Sequence, residues 1–330
     1  MTGRRVLITG VGNGVGAGLA RALEADPEVE YVAGLDTRKP PIPLEGTDLI
    51  DADIRSPVIA KLIPQAKVDT VVHNQIVRQP GPAMSPRQAH DVNVIGSLQL
   101  LSACEQSDTI RTIVIRGSAG IYGCEPAAPQ FFDEGMARLY PLRTRFQRDV
   151  GEIENYFETY SRRRPNVVCT MLRYQLTIGP GGSTQITRYL SQPLLPTYLG
   201  FDPRLQFVHE QDALDALVAA VKNPVRGAVN VAGSGTIGLT RMVRMARKPT
   251  LPLASPLFGP AVDAGRRLGL PDYSDDFRRL LRYGRAVDTR RLTEEVGFRP
   301  RYTTEAAVAD YVAKQTGRRL LPSLREVIPV

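Results

Sequence analysis

Three observations predict an α/β fold built on a doubly wound parallel sheet. An apolar, β-branched run near the N-terminus ends abruptly in glycines, and an Ala/Leu-rich helical segment follows at once. The same alternation of apolar run and helical stretch then repeats through the first half, the pattern of successive βαβ units. Candidate strands fall at residues 5–9, 30–35, 48–51, 69–73, 111–116, 167–173 and 228–232. Helical segments at 15–25, 56–64, 92–106 and about 147–163 lie between them.

The first unit carries the chemistry. It reads Arg4-Arg5-Val6-Leu7-Ile8-Thr9-Gly10-Val11-Gly12-Asn13-Gly14-Val15-Gly16-Ala17-Gly18, with the helical segment from Leu19 to Leu23 behind it. Strand, glycine turn and helix set backbone N–H groups and a helix N-terminus against a pyrophosphate. The glycines admit an approach that a Cβ would block. Asp36 closes the second apolar run, Tyr31 to Leu35, about 20 residues on, where a carboxylate bonds the ribose hydroxyls of a dinucleotide and repels a 2′-phosphate. A Rossmann-type sheet holding NAD rather than NADP is therefore expected, with Arg38 the one neighbour that argues the other way. Gly10, Gly12, Asn13, Gly14, Val15, Gly16 and Asp36 form the expected cradle.

Composition narrows the class. At 330 residues and 42% hydrophobic, the chain can hold one large α/β domain or two interlocked ones. No apolar stretch is long enough to span a membrane. The first strand begins almost at Met1, which leaves no room for a signal peptide, so a cytoplasmic protein is expected. Cys104, Cys124 and Cys169 are odd in number and widely spaced, as free thiols are. His73, His90 and His209 lack ligand spacing, so no metal is expected. The net charge of +8 and pI near 9.5 raise the question of nucleic acid. Scattered arginines, few aromatics and no tryptophan favour a solvated surface first, an anionic substrate second and nucleic acid well behind.

Beyond residue 175 the pattern breaks into Pro- and Gly-rich stretches, Gly179-Pro180-Gly181-Gly182 and Pro249 to Pro260. The segment Glu210 to Val221 and the run Val229-Asn230-Val231 read as a return to the main sheet. The expected organisation is a dinucleotide-binding domain over 1–175 completed by 205–235. A smaller, discontinuous substrate-binding part is expected over 176–204 and 236–330.

Further motifs accumulate in register. Asp53-Ile54-Arg55 follows the third apolar run, and Val71-Val72-His73 ends the fourth, with Asn74-Gln75-Ile76 after it. Asn93-Val94-Ile95-Gly96 opens the next helix, and Gly117-Ser118-Ala119-Gly120-Ile121-Tyr122-Gly123 follows the fifth strand. Leu172-Arg173-Tyr174, Phe207-Val208-His209-Glu210-Gln211-Asp212, Val287-Asp288-Thr289-Arg290-Arg291-Leu292 and Val296-Gly297-Phe298-Arg299-Pro300 come later. Together these resemble the extended short-chain dehydrogenase/reductases, the NAD-dependent epimerase/dehydratase family, over almost the whole chain. The nearest likeness is to the actinobacterial chains described as UDP-glucose 4-epimerase-like. The spacing of Gly10, Gly14 and Gly16 is that of single-domain members, and Asn13 stands where extended members usually have glycine.

The resemblance implies roles position by position. Asp36 and Asp53 match the ribose and adenine contacts, and Ile54, His73, Asn74 and Gln75 join them around the cofactor. Asn93 matches the asparagine that holds a helix kink and a proton-relay water; its alternative is an N-cap. Ser118 matches the residue that hydrogen-bonds the substrate hydroxyl or carbonyl; its alternative is a turn hydroxyl. The family's chemistry needs Tyr-x-x-x-Lys on a helix, with a glutamate one turn further along. Stepping back from Glu154 by helical turns gives Val150 and then Phe146 at those positions. No register restores the pair, because no lysine occurs between Lys67 and Lys222. Asn74-Gln75-Ile76 replaces small residues near the nicotinamide, and Leu176 stands where an asparagine often meets the substrate phosphate.

Two readings follow. One is an enzyme acting on a nucleotide-linked sugar or related hydroxyl compound with an unusual acid/base, for which Ser118, Asp133, Glu134 and Asp149 are the groups to examine. The other is a non-catalytic NAD(H)-binding sensor or scaffold. Arg204, Arg279, Arg282 and Arg285 are candidates for a substrate phosphate. A homodimer is expected through the helices at 93–106 and 147–163, which carry Ile153, Tyr156, Phe157 and Tyr160 beyond one apolar face.

Overall fold

The computed structural model describes residues 3–78, 84–267, 270 and 272–315. Seven parallel strands form the central sheet: β1 (Arg4–Thr9), β2 (Val29–Asp36), β3 (Thr47–Asp51), β4 (Thr70–His73), β5 (Thr112–Ser118), β6 (Val168–Tyr174) and β7 (Gly227–Val231). Their order is β7-β6-β5-β4-β1-β2-β3, so each expected strand is present and the last returns to the sheet beside β6.

Strand alternation sorts the core into two layers. Val6, Ile8, Val72 and Val114 point to one face, where helices α1 (Gly14–Glu24) and α6 (Glu210–Lys222) cover them with Leu19, Leu23, Leu217 and Val221. Leu7, Val71, Ile113 and Ile115 point to the other, against α2 (Val58–Gln65), α4 (Gly96–Glu105) and α5 (Arg145–Arg163). Because both faces are covered, the inner strands are near-continuous apolar runs.

The helix expected from residue 92 begins earlier. Ser85 caps α3 (Pro86–His90) through a reciprocal capping box with Gln88. A π-helical turn over Asp91–Ile95 then joins α3 to α4. Asn93 therefore lies inside the helical run, and its N-cap alternative is corrected. Such turns often mark functional positions.

A separate apolar cluster gathers Leu176, Ile178, Tyr189, Phe207, Met242, Phe258, Phe277 and Tyr311 from both sides of the 205–235 segment. It carries small two-stranded sheets, among them Leu176–Ile178 paired with Phe207–His209. Segment 205–235 thus contributes to both cores. Ile153, Phe157 and Tyr160 are 5% exposed or less, packed against residues such as Leu101 and Cys104 of the same chain. Three of the four residues expected at a dimer interface are thus already covered within one subunit. Among the described residues, no helix is long and apolar enough to cross a membrane.

Candidate functional site

The strand order reverses direction between β1 and β4, and ligands of open α/β sheets bind in the crevice above such a point. A cleft of about 770 Å³ opens there, from Asn13 and Gly14 to Ser118 and Phe146.

Its first wall is the glycine turn. Gly10 holds φ at +78°, a conformation that side chains rarely adopt. Asn13 caps α1: its Oδ1 accepts from Gly16 N at 2.9 Å and its Nδ2 donates to Gly10 O at 2.8 Å. Asn13 thus stitches the two ends of the turn together. A Cβ on Gly16 would lie 2.2 Å from Gly10 O, and one on Gly12 would lie 2.5 Å from Arg38 O. At Gly14 a Cβ meets nothing within 4 Å, so that side of the turn is open. The Asp36 carboxylate sits under the turn, accepting from Gly12 N and Arg38 N at 3.0 Å each, with the Arg38 guanidinium 3.4 Å away. Asn74 donates to Gly10 O and Asn13 Oδ1 at 3.1 and 3.2 Å. Among the described residues, the buried Asn74 Oδ1 and Gln75 Oε1 are left without partners. Buried acceptors of this kind call for a donor. The open cradle and these acceptors fit a dinucleotide.

Three other expected contacts turn elsewhere. Both Asp53 oxygens are held by the Arg55 guanidinium at 2.8 and 2.6 Å, which keeps this carboxyl below its usual range. Ile54 is wholly buried, its side chain against Gly96. The His73 ring is likewise buried, with Thr9 Oγ1 2.7 Å from Nδ1 and Ser97 Oγ 2.8 Å from Nε2. Its side chain is a core strut between β1 and α4 rather than a cofactor contact.

Burial pushes His73 down to about 4, so it folds neutral. Below the ordinary histidine value near 6.5 the unfolded chain binds a proton that the native state refuses. The stability due to this site is complete above pH 6.5 and drains as pH falls toward 4. One pKa unit is about 1.4 kcal/mol, so the whole effect is about 3 kcal/mol. Urea denaturation of the parent and of His73→Asn at pH 7 and pH 5 checks it: the parent should lose more stability than the variant over that interval.

The opposite wall is charged. Ser118 is 2% exposed, and its Oγ accepts from Arg78 Nη2 and from Gly120 N, the latter at 3.1 Å. A hydroxyl with both acceptor positions used has its own proton left to donate. The Arg78 guanidinium lies 5.0 Å from the centre of the Phe146 ring, which also faces Gly120. Arg116 stacks on Tyr174 at 5.2 Å. Asn93 pins this wall from behind: its Oδ1 accepts from Val77 N at 2.7 Å, and its Nδ2 donates to Val77 O at 2.9 Å. Asp149, held by His90 at 2.8 Å, accepts from the same Nδ2 at 3.2 Å.

The proposed substitute acids stand elsewhere. Asp133 caps the turn 134–136, Glu134 accepts from Asn230 N at 2.8 Å, and Asp149 is the brace just described. The four candidate phosphate arginines do not line the cleft. Arg204 is exposed, Arg279 pairs with Glu125 at 2.7 Å, and Arg282 lies over Phe201 and Tyr283 at 4.9 Å each. Arg285 is 3% exposed, 3.8 Å from Asp276 and within reach of Gly123 O. Arg78 and Arg116 line the cleft instead.

The sequence model of the NAD-dependent epimerase/dehydratase family matches residues 6–232. The chain belongs to that family. Uncharacterized proteins of Mycobacterium tuberculosis and Mycobacterium bovis are 35% identical over 323 residues, covering 96% of this chain and 85% of theirs. Among solved structures, MoeE5 in complex with UDP-glucose and NAD superposes with a TM-score of 0.72 at 18% identity, over 95% of this chain and 99% of its own. UDP-glucose 4-epimerase of Thermotoga maritima, with UDP-glucose, gives 0.71 at 15% identity over the same shares. The dTDP-glucose 4,6-dehydratase of Bacillus anthracis, in complex with NAD, gives 0.69 at 16% identity, over 95% of this chain and 97% of its own. These likenesses establish the epimerase/dehydratase fold.

Within the family frame, Phe146 presents an apolar ring beside Ser118 where a phenol is expected. Val150 is 1% exposed among Ala119, Ile121 and Phe132, away from the cleft. Glu154, the expected third residue of that face, pairs with Arg173 through two contacts of 2.9 and 2.8 Å.

Proposed function

We propose that this epimerase/dehydratase-family chain holds NAD in the glycine cradle and acts on a hydroxyl or carbonyl of a nucleotide-linked sugar or related compound. It does so without the Tyr-x-x-x-Lys pair. The observation that carries the reading is the Ser118 hydroxyl, set in the same cleft as the cradle with one proton free to give to a substrate oxygen. NAD would supply hydride exchange at the substrate carbon. Gly12, Asn13, Gly14 and Asp36 would hold it. Ser118 would orient the reacting oxygen, and the Arg78 charge beside it would stabilise negative charge developing there. Asn93 would keep Val77 and Arg78 in place. Three free, buried cysteines support a reducing, cytoplasmic setting. Ile95 and Leu98, 38% and 41% exposed on the π turn and α4, support a homodimer, which sedimentation would test.

The Phe146 ring favours a second reading, an NAD(H)-binding protein that senses or scaffolds and does not turn over. The discriminating experiment starts from purified protein whose bound cofactor is released and identified. It is then assayed against a panel of UDP- and dTDP-sugars for cofactor reduction and epimer formation. Phe146→Tyr restores a phenol beside Ser118, and general acid/base catalysis contributes about 10² or more. We expect turnover with at least one sugar and a gain of at least about tenfold in Phe146→Tyr. Silence of both proteins across the panel, with NAD bound, would leave the sensor reading in its place.

A further inference from the structure

The inner end of the cleft carries cationic groups that the described residues do not neutralise. Arg78, Arg116 and, just behind them, Arg285 converge there from the loop after β4, from β5 and from the segment before residue 290. Asp276 is the carboxylate that faces the cluster among the described residues. It is already shared between Arg285 at 3.8 Å and the Gln147 amide at 2.9 Å. Among the described residues the buried Arg116 Nε and Arg285 Nη2 have no partner, and Phe146 and Tyr174 offer ring faces to Arg78 and Arg116 in place of counter-charge. Burial draws the Arg78 guanidinium down to about 10 and lowers that of Arg116. A buried cation without a counter-ion is costly unless something supplies the missing charge.

We infer that this wall is a subsite for an oxyanion, and that the ligand of the cleft carries a carboxylate on the part lying beside Ser118. A guanidinium fork matches a carboxylate, and Arg116 Nε is a donor left open for it among the described residues. Phe146 is then more than a lost phenol, because it is the apolar floor on which Arg78 rests to reach that anion. The inference rests on the nucleotide-sugar reading for the rest of the ligand, but the subsite is testable without it.

UDP-glucuronic acid and UDP-glucose differ at one carbon, a carboxylate against a hydroxymethyl group. On NAD-loaded protein, titration calorimetry should show the acid binding at least about tenfold tighter, a difference of about 1.4 kcal/mol. In Arg116→Gln the two affinities should converge, and in Arg116→Lys part of the difference should return. Glucuronate and inorganic phosphate, given alone at millimolar concentration, should raise the melting temperature of the parent more than that of Arg116→Gln. Equal affinities for the two nucleotide sugars would overturn the subsite and leave the nucleotide-sugar reading standing. Protection by the small anions, with neither nucleotide sugar bound, would uphold the subsite and remove that reading. Failure of every anionic probe to bind or protect the parent would overturn the subsite outright.

Discussion

Gly16→Ala abolishes high-affinity NAD binding. The added Cβ would lie 2.2 Å from the Gly10 carbonyl oxygen and 2.8 Å from Asn74 Nδ2. No side-chain rotation relieves a contact with backbone. Helix α1 must therefore move away from β1, and the Asn13 cap goes with it. The turn's backbone donors and the helix N-terminus then no longer converge on one pyrophosphate. We expect affinity to fall at least about 100-fold, equivalent to about 2.7 kcal/mol. Stability should also drop by about 1–3 kcal/mol from overpacking. Gly14→Ala separates the two effects, because its Cβ meets nothing within 4 Å. That variant should melt with the parent yet bind NAD more weakly, since the open space belongs to the ligand. Calorimetric titration with NAD and thermal melts of both variants check this. Parent-like affinity in Gly16→Ala would show that the cofactor does not use this turn.

The second large effect lies behind the Ser118 wall of the cleft. Glu154→Ala strips the counter-charge from Arg173, a guanidinium 4% exposed that also donates to Tyr122 Oη and to the Glu134 carbonyl. Burial raises the Glu154 carboxyl, and the facing guanidinium opposes that rise. Removing one member of a buried pair costs about 3–5 kcal/mol because the other charge is stranded. The expected result is a loss of that size in urea denaturation. The double change Glu154→Leu/Arg173→Met should be less destabilised than Glu154→Ala alone, since it strands no charge. A loss below about 1 kcal/mol in Glu154→Ala would mean that water reaches the site. The residue read from the sequence as the third member of a catalytic face is on this account a structural anchor.

Much of the molecule was legible before any coordinates. Parallel strands buried on both faces are apolar runs, and the glycine turn declares itself through residues that tolerate close approach. The absence of a lysine between Lys67 and Lys222 needed no structure either. The misses concern direction. His73 follows Val71 by two residues, so alternation already turned its ring toward α4 and Ser97. Arg116 precedes Ser118 by two, so both project from one face of β5, and a charge inside an otherwise apolar strand was the signal that could have found it. Arg78 carried no such mark, because its aim comes from Asn93 gripping Val77 across 16 residues. The phosphate candidates failed because a guanidinium's partners, Glu125 for Arg279 and Gly123 and Gln175 for Arg285, lie far along the chain.

The order β7-β6-β5-β4-β1-β2-β3 also has a bearing on synthesis. As the chain emerges from the ribosome, every strand after β1 can join an edge that is already open. β2 and β3 extend one side, and β4 to β7 extend the other in turn. No strand has to insert between two that have paired. The sheet can therefore grow outward at the pace of translation, without the wait for distant segments that slows many parallel topologies. The crevice between β1 and β4 exists once residue 73 has been laid down, so the cofactor's resting place precedes the residues that would put it to use.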